Sequence, residues 1–578
     1  MAQAPQQLDQ DRLRLETALR WITIAAGVLA SVVIALSLAA HLLVDPEAVS
    51  ARIRSGLAES APGSVRVEMG SVTPTLLSRS LRAEEVTISW GDATSSPPDT
   101  TMAGSDTAAA EADSAAAPRV TMTIGTVELG GISLWRLVSG DGFAVEEARF
   151  IRPRVEVQRP HRGAAGAPDS SGRARSSDGQ RGSAAPSFPY IAVGKLTIED
   201  GSVEAISGSG EGRTRVRVDS MQAAFSGLVA DTGRSDDWFE LDDLSLVVGD
   251  YERLGSDSTA VTRINGLRIA GVASPLLVDS VTVRPTVDLA EFLRRGHKRK
   301  DRIDAALIGI SVQDFDYRRF IERRDVIIRS VHADSLYLHV HSDKRLPAGR
   351  DEGQPRLPNR TMRGLEHLVR IDTIALRRGD ILYTERPPQA DSNAELWFRE
   401  ISGSARNVTN DTSLMSDETP AIIDARTRFL GEAPAHVTLR LPLLAENLKV
   451  RYLGNVGPFR ATTLNEVTHP LMGMLLRGGA ADSAWFDISI ADGRAYGAVV
   501  VLYEGLELEI VGKGSSSQSL MESFKTMIAE SKIESSNPRE SGESPLAGSV
   551  LYAYEPDDPF FAILWGSLRS GLNDLLGL

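Results

Sequence analysis

Short runs in which apolar and polar residues alternate recur along most of this 578-residue chain. In one such run Val65, Val67 and Met69 are apolar, and the two residues between them are charged. This period of two is typical of a half-buried β-strand, because successive side chains point to opposite faces of a sheet. The sequence therefore predicts a mainly β protein in which a long sheet has one apolar face. The same period recurs at Val86, Ile88, Trp90, Val120, Met122, Ile124, Leu336, Leu338, Val340, Val437, Leu439, Leu441, Leu506, Leu508 and Ile510.

Two parts of the chain also resemble each other at a distance of about 180 residues, which indicates repeated modules. IAVGKLTIEDGSVEA, residues 191–205, aligns with VRIDTIALRRGDILY, residues 369–383, and places Gly201 over Gly379. Each copy is interpreted as a strand, a shift, a second strand and a glycine turn. Residues 216–231 and 396–411 continue the alignment.

Composition excludes several classes of function. The net charge is -14, with 77 acidic and 63 basic residues, so the chain lacks the basic surface that nucleic acids require. It contains no cysteine, which excludes disulfides, thiolate nucleophiles and cysteine-ligated metals. We find no nucleophile elbow, zinc-protease motif or dinucleotide-binding motif in its required context. The chain is therefore expected not to be an enzyme and to need no cofactor and no metal.

One segment is long and apolar enough to cross a bilayer. From Trp21 through Ile34 to Val44 no residue carries a formal charge. We interpret residues 21–44 as an uncleaved transmembrane helix; a cleaved signal peptide is the alternative, although its apolar region is usually shorter. Three arginines before the span and two soon after it favour a cytoplasmic N-terminus.

Three segments are poor in apolar residues and are predicted to be mobile loops between strands: 91–118, 161–187 and 531–546. At the C-terminus, residues 558–578 have the spacing of an amphipathic helix. This helix is expected to cap the last strands, and docking on a membrane or a partner is the alternative. Its predicted apolar face consists of Phe561, Leu564, Trp565, Leu568, Leu572, Leu575 and Leu576.

Each of two polar clusters can be interpreted either as a binding site or as ordinary solvated surface. His339 and His341 share one strand face, near His332, as a metal-binding pair would, but no third ligand is evident. We expect a solvated polar face. The basic residues between Arg294 and Lys300 could meet anionic lipid headgroups, although a solvated loop is favoured.

The N-terminal span, the strand GSVRVEMGSV that follows it and the segment from Val193 to Glu204 together resemble the AsmA-like superfamily. Relatives of TamB and bridge-like lipid transfer proteins belong to this superfamily. The late segment 429–511 is similar to an AsmA-type C-terminal module, with Gly497, Tyr503 and Leu506 as its most telling residues. The resemblance covers most of residues 21–514. Its motifs are strand and glycine patterns that indicate an overall shape, and they include no catalytic signature.

The resemblance implies a transmembrane helix followed by an elongated, twisted, repetitive β-sheet that forms a half-open, taco-like groove, with the C-terminal amphipathic helix at its end. It implies a single-pass protein of the bacterial inner membrane with its bulk in the periplasm. The expected divisions are 1–20 cytoplasmic, 21–44 transmembrane, 45–190 N-terminal β module, 191–345 first groove repeat, 346–514 second repeat with the C-terminal module, 515–557 helix and flexible linker, and 558–578 amphipathic helix.

The expected function is binding of phospholipid acyl chains in the apolar groove, in support of lipid transport or envelope homeostasis. The expected partners are membrane lipids, the inner membrane and envelope proteins, and no nucleic acid. A periplasmic scaffold without lipid cargo is the alternative, as is a sheet that fills its own interior. Predicted groove-lining residues are Val193, Ile198, Leu336, Leu338, Val340, Ile371, Leu376, Val437, Leu439 and Leu508.

Overall fold

The chain is mainly β and divides into two compact units. The first unit comprises Met1–Ser258 and Leu267–Val272, and the second comprises Thr259–Gly266 and Ala273–Leu578. The computed structural model describes residues 65–75, 79–90, 119–133, 142–159, 190–208, 213–231, 239–255, 257–296, 300–346, 357–388, 390–511, 534–540, 542–555, 558 and 560–577.

In the first unit, most strands pair with the strand that follows them in the chain. β3 pairs with β1, β2 and β4, and β4 to β7 then pair in order. β7 also pairs with β8 and β9. Only the β5–β6 pair is parallel among these. The strands are β1 (Val65–Glu68), β2 (Ser71–Thr75), β3 (Ser80–Trp90), β4 (Arg119–Gly130), β5 (Phe143–Arg159), β6 (Tyr190–Ser207), β7 (Thr214–Asp231), β8 (Phe239–Glu240) and β9 (Asp243–Leu254).

β10 (Ala260–Ile269) has residues in both units, and the strands after it belong to the second. From β11 to β18 each strand pairs with the next; β20 pairs with β18, β19 and β21, and β21 with β22. The β13–β14 pair is parallel and the others are antiparallel. The strands are β11 (Leu276–Pro285), β12 (Arg302–Gln313), β13 (Val326–Asp343), β14 (Val369–Arg386), β15 (Ala394–Thr409), β16 (Ala421–Phe429), β17 (Ala433–Leu441), β18 (Val450–Val456), β19 (Phe459–Arg460), β20 (Met474–Ala491), β21 (Arg494–Ile510) and β22 (Gly548–Ala553).

The described helices are few and mostly short. They are α1 (Leu289–Arg295), α2 (Tyr317–Arg323), α3 (Pro358–Arg363), a 3-10 helix (Ala461–Leu464), α4 (Asn465–Met472) and α5 (Phe560–Leu576). α1 begins after Asp288, whose carboxylate accepts the Glu291 N–H, and α2 begins after Asp316 in the same way. None of the helices in the described residues combines the length and apolar character needed to cross a bilayer. The predicted anchor at 21–44, with Trp21, Ile34 and Val44, lies outside the described residues, as do 91–118 and 161–187.

The predicted repeat is confirmed by the strand pairing. We call β4 to β7 the first module and β12 to β15 the second module. In each, the four strands pair in order as antiparallel, parallel and antiparallel. The register of the last pair shifts at Gly201 in the first module and at Gly379 in the second. The predicted glycine turn is wrong, because each glycine lies within one 18-residue strand and interrupts only its register.

Both units contain residues of positive φ that lie in a row across neighbouring strands. In the first unit Glu85, Arg152, Asp200 and Ser220 have φ of 52–55°, and the register brings them into line. In the second unit Gly266, Gly309 and Glu400 have φ of 65°, 65° and 53°. Left-handed residues and bulges bend a strand and increase its twist. We call these two alignments the bend rows.

Each bend row changes the spacing of the buried side chains. Ala83 and Val86, on either side of Glu85, are both buried, as are Ile124 and Val127 on the paired strand. Side chains therefore continue on the same face after a step of three residues, where an unbroken strand would require two. The second unit shows the same step from Leu307 to Ile310. A long strand thus bends while one face stays apolar, and we call this the inner face of each unit.

The described residues of each unit form a filled core on its inner face. In the first unit the core includes Val127, Leu129, Phe143 and Ala148, each at most 4% exposed. In the second unit it includes Tyr452, Ile488 and Val550 beneath Ile563 of α5. The predicted end-cap role of the C-terminal helix is confirmed by this packing.

Three sequence predictions need correction. Of the predicted apolar face of α5, Leu564, Leu568 and Leu572 pack against the core, whereas Phe561 is 53% exposed. The most buried positions of the helix were not in that prediction: Ile563, Gly566, Ser567 and Gly571. The predicted linker 515–557 contains β22. Within the predicted loop 531–546, the Asn537 side chain is only 1% exposed. Its amide donates to the Val501 and Leu546 carbonyls and accepts the Leu546 N–H, so it takes the place of a strand partner for these main-chain groups.

Candidate functional site

The inner face of the second module is the candidate functional site. Five rows of paired residues cross β12, β13, β14 and β15 on this face. None of these twenty residues carries a charge, and the Tyr383 hydroxyl is the one polar side-chain group among them. The rows are Ile303, Val340, Tyr383 and Leu396; Ala305, Leu338, Ile381 and Phe398; Leu307, Leu336, Gly379 and Ile401; Ile310, Ala333, Leu376 and Gly403; and Val312, Val331, Ile374 and Ala405.

These rows are only partly covered by the protein's own side chains. Most of their residues are half-buried, and Ile303 is 43% exposed. At the β15 side, Phe398 packs on Phe429 with ring centroids 5.8 Å apart, which continues the apolar surface onto β16. An apolar surface that extends over several strands and stays partly exposed marks an interaction site more often than it marks a core.

The opposite face of the same strands mixes charged residues with apolar ones such as Leu382 and Trp397. Its rows carry Arg378, Asp334 and Arg377, and the Arg377 guanidinium pairs with the Asp334 carboxylate at 3.3 Å. Further along, Arg451 makes two hydrogen bonds of 3.1 and 2.8 Å to Asp487. Exposed ion pairs of this kind stabilise the fold little, but they mark the parts of this face that reach solvent.

Two isoleucines of β12 allow a direct comparison of the faces. Ile303 lies on the inner face opposite Val340, and Ile308 lies on the outer face opposite Ser335. Their exposed fractions are nearly equal, at 43% and 48%. Only Ile303 has apolar neighbours on three successive strands. The two residues therefore separate the effect of exposure from the effect of an apolar surrounding surface.

Polar groups occur where α5 meets the inner face. The Tyr383 hydroxyl donates to Glu385 at 2.7 Å, and the Tyr383 ring packs on Phe561 of α5 with centroids 6.5 Å apart. Burial and the neighbouring carboxylate raise the pKa of Tyr383. Tyr452, 4% exposed, donates to the Leu564 carbonyl at 2.9 Å, and burial raises its pKa to about 12. Both phenols are therefore hydrogen-bond donors that mark where α5 begins to cover the inner face.

Near β4 and β5, the inner face of the first unit is more completely buried than the inner face of the second module. Val127 pairs with Phe150, which pairs with Ile198, and Val127 is 4% exposed. On the outer face the Arg149 guanidinium bonds Glu199 at 2.8 and 3.0 Å and lies 3.7 Å from Glu128. The apolar and charged faces of this unit are thus as distinct as those of the second, but little of its apolar face near β4 and β5 is exposed.

The predicted lining residues divide by burial. Val193 is 6% exposed and belongs to the core of the first unit, and Ile198 is half-buried beside it. In the second unit Leu439 packs against the core beneath α5, and Leu508 lies opposite the buried Leu476. The other six are half-buried residues on strands β13, β14 and β17: Leu336, Leu338, Val340, Ile371, Leu376 and Val437.

The histidine prediction is wrong for one residue. His341 is 5% exposed, and its Nδ1 lies 2.8 Å from the Thr384 hydroxyl, while Nε2 of half-buried His339 lies 3.1 Å from the same oxygen. Burial lowers the pKa of both imidazoles. The charged groups around the two imidazoles act in opposite directions on these pKa values. The carboxylates raise them and the guanidinium groups lower them: Asp304, Asp343 and Glu395 against Arg302 and Arg345. Among the described residues no group of three acidic or histidine side chains could hold a metal ion.

The basic cluster is only partly a loop. Arg294 and Arg295 lie in the last turn of α1, and both pair with Glu291. Residues 297–299 lie outside the described residues.

Several residues of the site are absent from the predicted lining. Ile381, Phe398 and Phe429 complete the row through Leu338, and Ile303 ends another row. Their signal was present in the sequence, because apolar residues continue on each strand after a step of three. A search restricted to a period of two stops at that step.

No known protein family, curated protein or solved structure matches this chain.

Proposed function

We propose that this chain binds lipid acyl chains on the half-buried inner face of its second module, as an AsmA-like protein of the bacterial inner membrane whose β-structure lies in the periplasm. The observation that carries the proposal is the set of five uncharged rows, which remain partly exposed. Each buried methylene contributes about 0.8 kcal/mol, so an acyl chain gains affinity along the surface without a specific headgroup site. The proposed role is phospholipid transport or envelope homeostasis, with no catalytic step.

A second candidate is a scaffold that holds envelope proteins and carries no lipid. The observation in its favour is that each unit fills part of its own inner face with a core, to which α5 contributes in the second unit. A filled face leaves less room for cargo. The two candidates therefore differ in what contacts the exposed rows.

A photo-reactive amino acid placed at Ile303 or at Ile308 in the full chain tests this difference. After irradiation in cells, mass spectrometry of the purified protein should find acyl-chain adducts at position 303 and few at position 308. Equal lipid labelling at both positions would mean that exposure alone explains it. Protein adducts at 303 without lipid would favour the scaffold.

A further inference from the structure

Among the described residues β22 pairs with one strand only, and its other side is covered by side chains of α5. Its strand partner is β21, from Gly548 to Ala553. Toward α5, the Ser549 N–H donates to Asp574 Oδ2 at 2.7 Å, and the Leu551 N–H donates to Ser570 Oγ at 3.3 Å. The Ser570 hydroxyl in turn donates to the Leu551 carbonyl at 2.9 Å. Two residues one helical turn apart thus replace a neighbouring strand.

Small residues allow α5 to come close enough to make these bonds. A Cβ added at Gly548 would collide with the Gly571 carbonyl, and one added at Gly571 would lie 2.6 Å from Val499. Ile563 is fully buried and anchors the helix on the sheet. Ser570 and Asp574 lie outside this packed face, so their side chains serve the strand edge and contribute nothing to the core.

The outer surface beside this edge is apolar. Leu551 is 77% exposed and faces Tyr496 on β21, which is 50% exposed. An exposed leucine next to an unpaired strand edge is a common site of strand addition, and natural proteins cover or charge such edges. Here the main-chain groups are covered and the apolar side chains are not.

The edge is complementary to itself. The main-chain groups of Leu551 point away from β21, so two copies of β22 related by a twofold axis could exchange two bonds at Leu551. The same register would bring the two Leu551 side chains together on one face and remove both from water. A second copy of β22 is therefore sufficient to hydrogen-bond the main-chain groups of Leu551.

We propose that β22 is a self-association edge, that its partner is β22 of a second copy, and that α5 holds it closed through Ser570 and Asp574. Strand pairing and capping use the same N–H and C=O groups, so they exclude each other. Release of the last turns of α5 opens the edge, while the contacts around Ile563 can remain.

The absence of cysteine makes the test direct, because a single introduced cysteine reports one position. Hydrogen-bonded residues of an antiparallel pair have Cα atoms about 5.5 Å apart, within the range of about 4.4–6.8 Å for disulfides. The full chain with Leu551→Cys, in membranes under mild oxidation, should form little cross-linked dimer. Adding Ser570→Ala and Asp574→Ala should increase the dimer several-fold. Tyr496→Cys on the uncapped background, one strand further in, should not cross-link.

A second measurement uses sedimentation of the uncapped chain in detergent. The uncapped chain should dimerise, and Leu551→Pro should return it to a monomer, because proline removes the edge N–H and leaves the pairing with β21 intact. The milder Ser570→Ala variant should dimerise partially. The proposal is overturned if uncapping leaves the cross-link unchanged, if the capped chain cross-links equally well, or if the Leu551→Cys thiol captures only other proteins.

Discussion

The first and second modules share their strand order, their one parallel pair and their register shift, yet their inner faces differ in burial. Val120 in β4 is 3% exposed, whereas Ile303, at the corresponding position of β12, is 43% exposed. Main-chain pairing therefore does not decide whether an apolar face becomes a core. What covers the face decides it, and the same strand arrangement is filled at β4 of the first module and accessible at β12 of the second.

The largest effect that tests this comparison comes from placing a carboxylate at the two corresponding positions. Val120→Asp should reduce the free energy of unfolding by at least about 3 kcal/mol, because the charge would be buried without a partner. Ile303→Asp should cost about 1 kcal/mol or less, because its side chain can reach water. Denaturant unfolding followed by circular dichroism measures both. Equal losses would mean that the two inner faces are equally filled.

A smaller effect is expected at the bend rows, which both modules use. Gly309→Ala should destabilise the protein by about 1–2 kcal/mol, because φ is 65° and the new Cβ would collide with the Asp334 side chain. Arg152→Gly, at φ 55°, should be neutral or stabilise by up to about 1 kcal/mol. Thermal melting distinguishes the two. If Gly309→Ala melts like the wild type, the row does not need its left-handed backbone.

Lipid binding should depend on the second module alone. Leu338→Asp should reduce co-purified phospholipid about tenfold, which corresponds to the loss of roughly two buried methylenes, while the fold is retained. Mass spectrometry of organic extracts measures the lipid. Ile308→Asp on the outer face is the matched control and should leave the lipid unchanged. Loss of lipid with the control as well would argue against the inner face as the site.

Leu439→Asp separates a lining residue from a core residue. Leu439 packs against the core beneath α5, so this change should lower stability more than Leu338→Asp does. A melting curve recorded beside the lipid measurement identifies which role dominates. If Leu439→Asp lost lipid but melted like the wild type, the inner face beneath α5 would be open too.

The smallest expected effect is a pH dependence confined to the second module. The pKa values of His339 and His341 are lowered below the ordinary 6.5 in the folded state. The stability that the neutral imidazoles provide is therefore present above about pH 6.5 and is lost as the pH falls toward their folded values. Hydrogen exchange of β13 and β14 at pH 7.5 and 5.5 should show faster opening at the lower pH.

The control for this effect lies in the chain itself. The described residues of the first unit contain no histidine, so β5 and β6 should show no matching change. His339→Gln with His341→Gln should remove the pH dependence in the second module. A dependence that survives the double variant would have to come from other titratable groups.

Much of the fold could be predicted from local patterns. The alternation at Val86 and Ile88 identified a strand with one buried face, and the alignment of residues 191–205 with 369–383 identified the repeat. The Gly201 and Gly379 positions were found but were interpreted as turns. A glycine marks a change in backbone conformation, and its neighbours in sequence do not show whether the strand resumes beyond it. That depends on whether β7 and β15 continue to pair, which is a long-range contact.

The candidate site was predicted only in part, for a related reason. Leu338 and Ile381 share a row because β13 and β14 run parallel across a long insertion, and sequence spacing carries no information about that register. The leucines of the predicted face of α5 do pack on the core, but the small residues Gly566, Ser567 and Gly571 are buried more deeply and were not predicted. Close approach to the sheet favours small side chains, and a pattern based on hydrophobicity cannot detect this preference.

The sequence by itself determined the β class, the apolar and polar faces of individual strands, the repetition and the absence of cysteine chemistry. These features depend on the period of the side chains and on residue type, which are local. Only the tertiary structure decided which rows align, where strands bend, which parts of each unit's inner face are filled and how the β22 edge is covered. Those features depend on groups brought together from distant parts of the chain, where packing and main-chain pairing outweigh local preference.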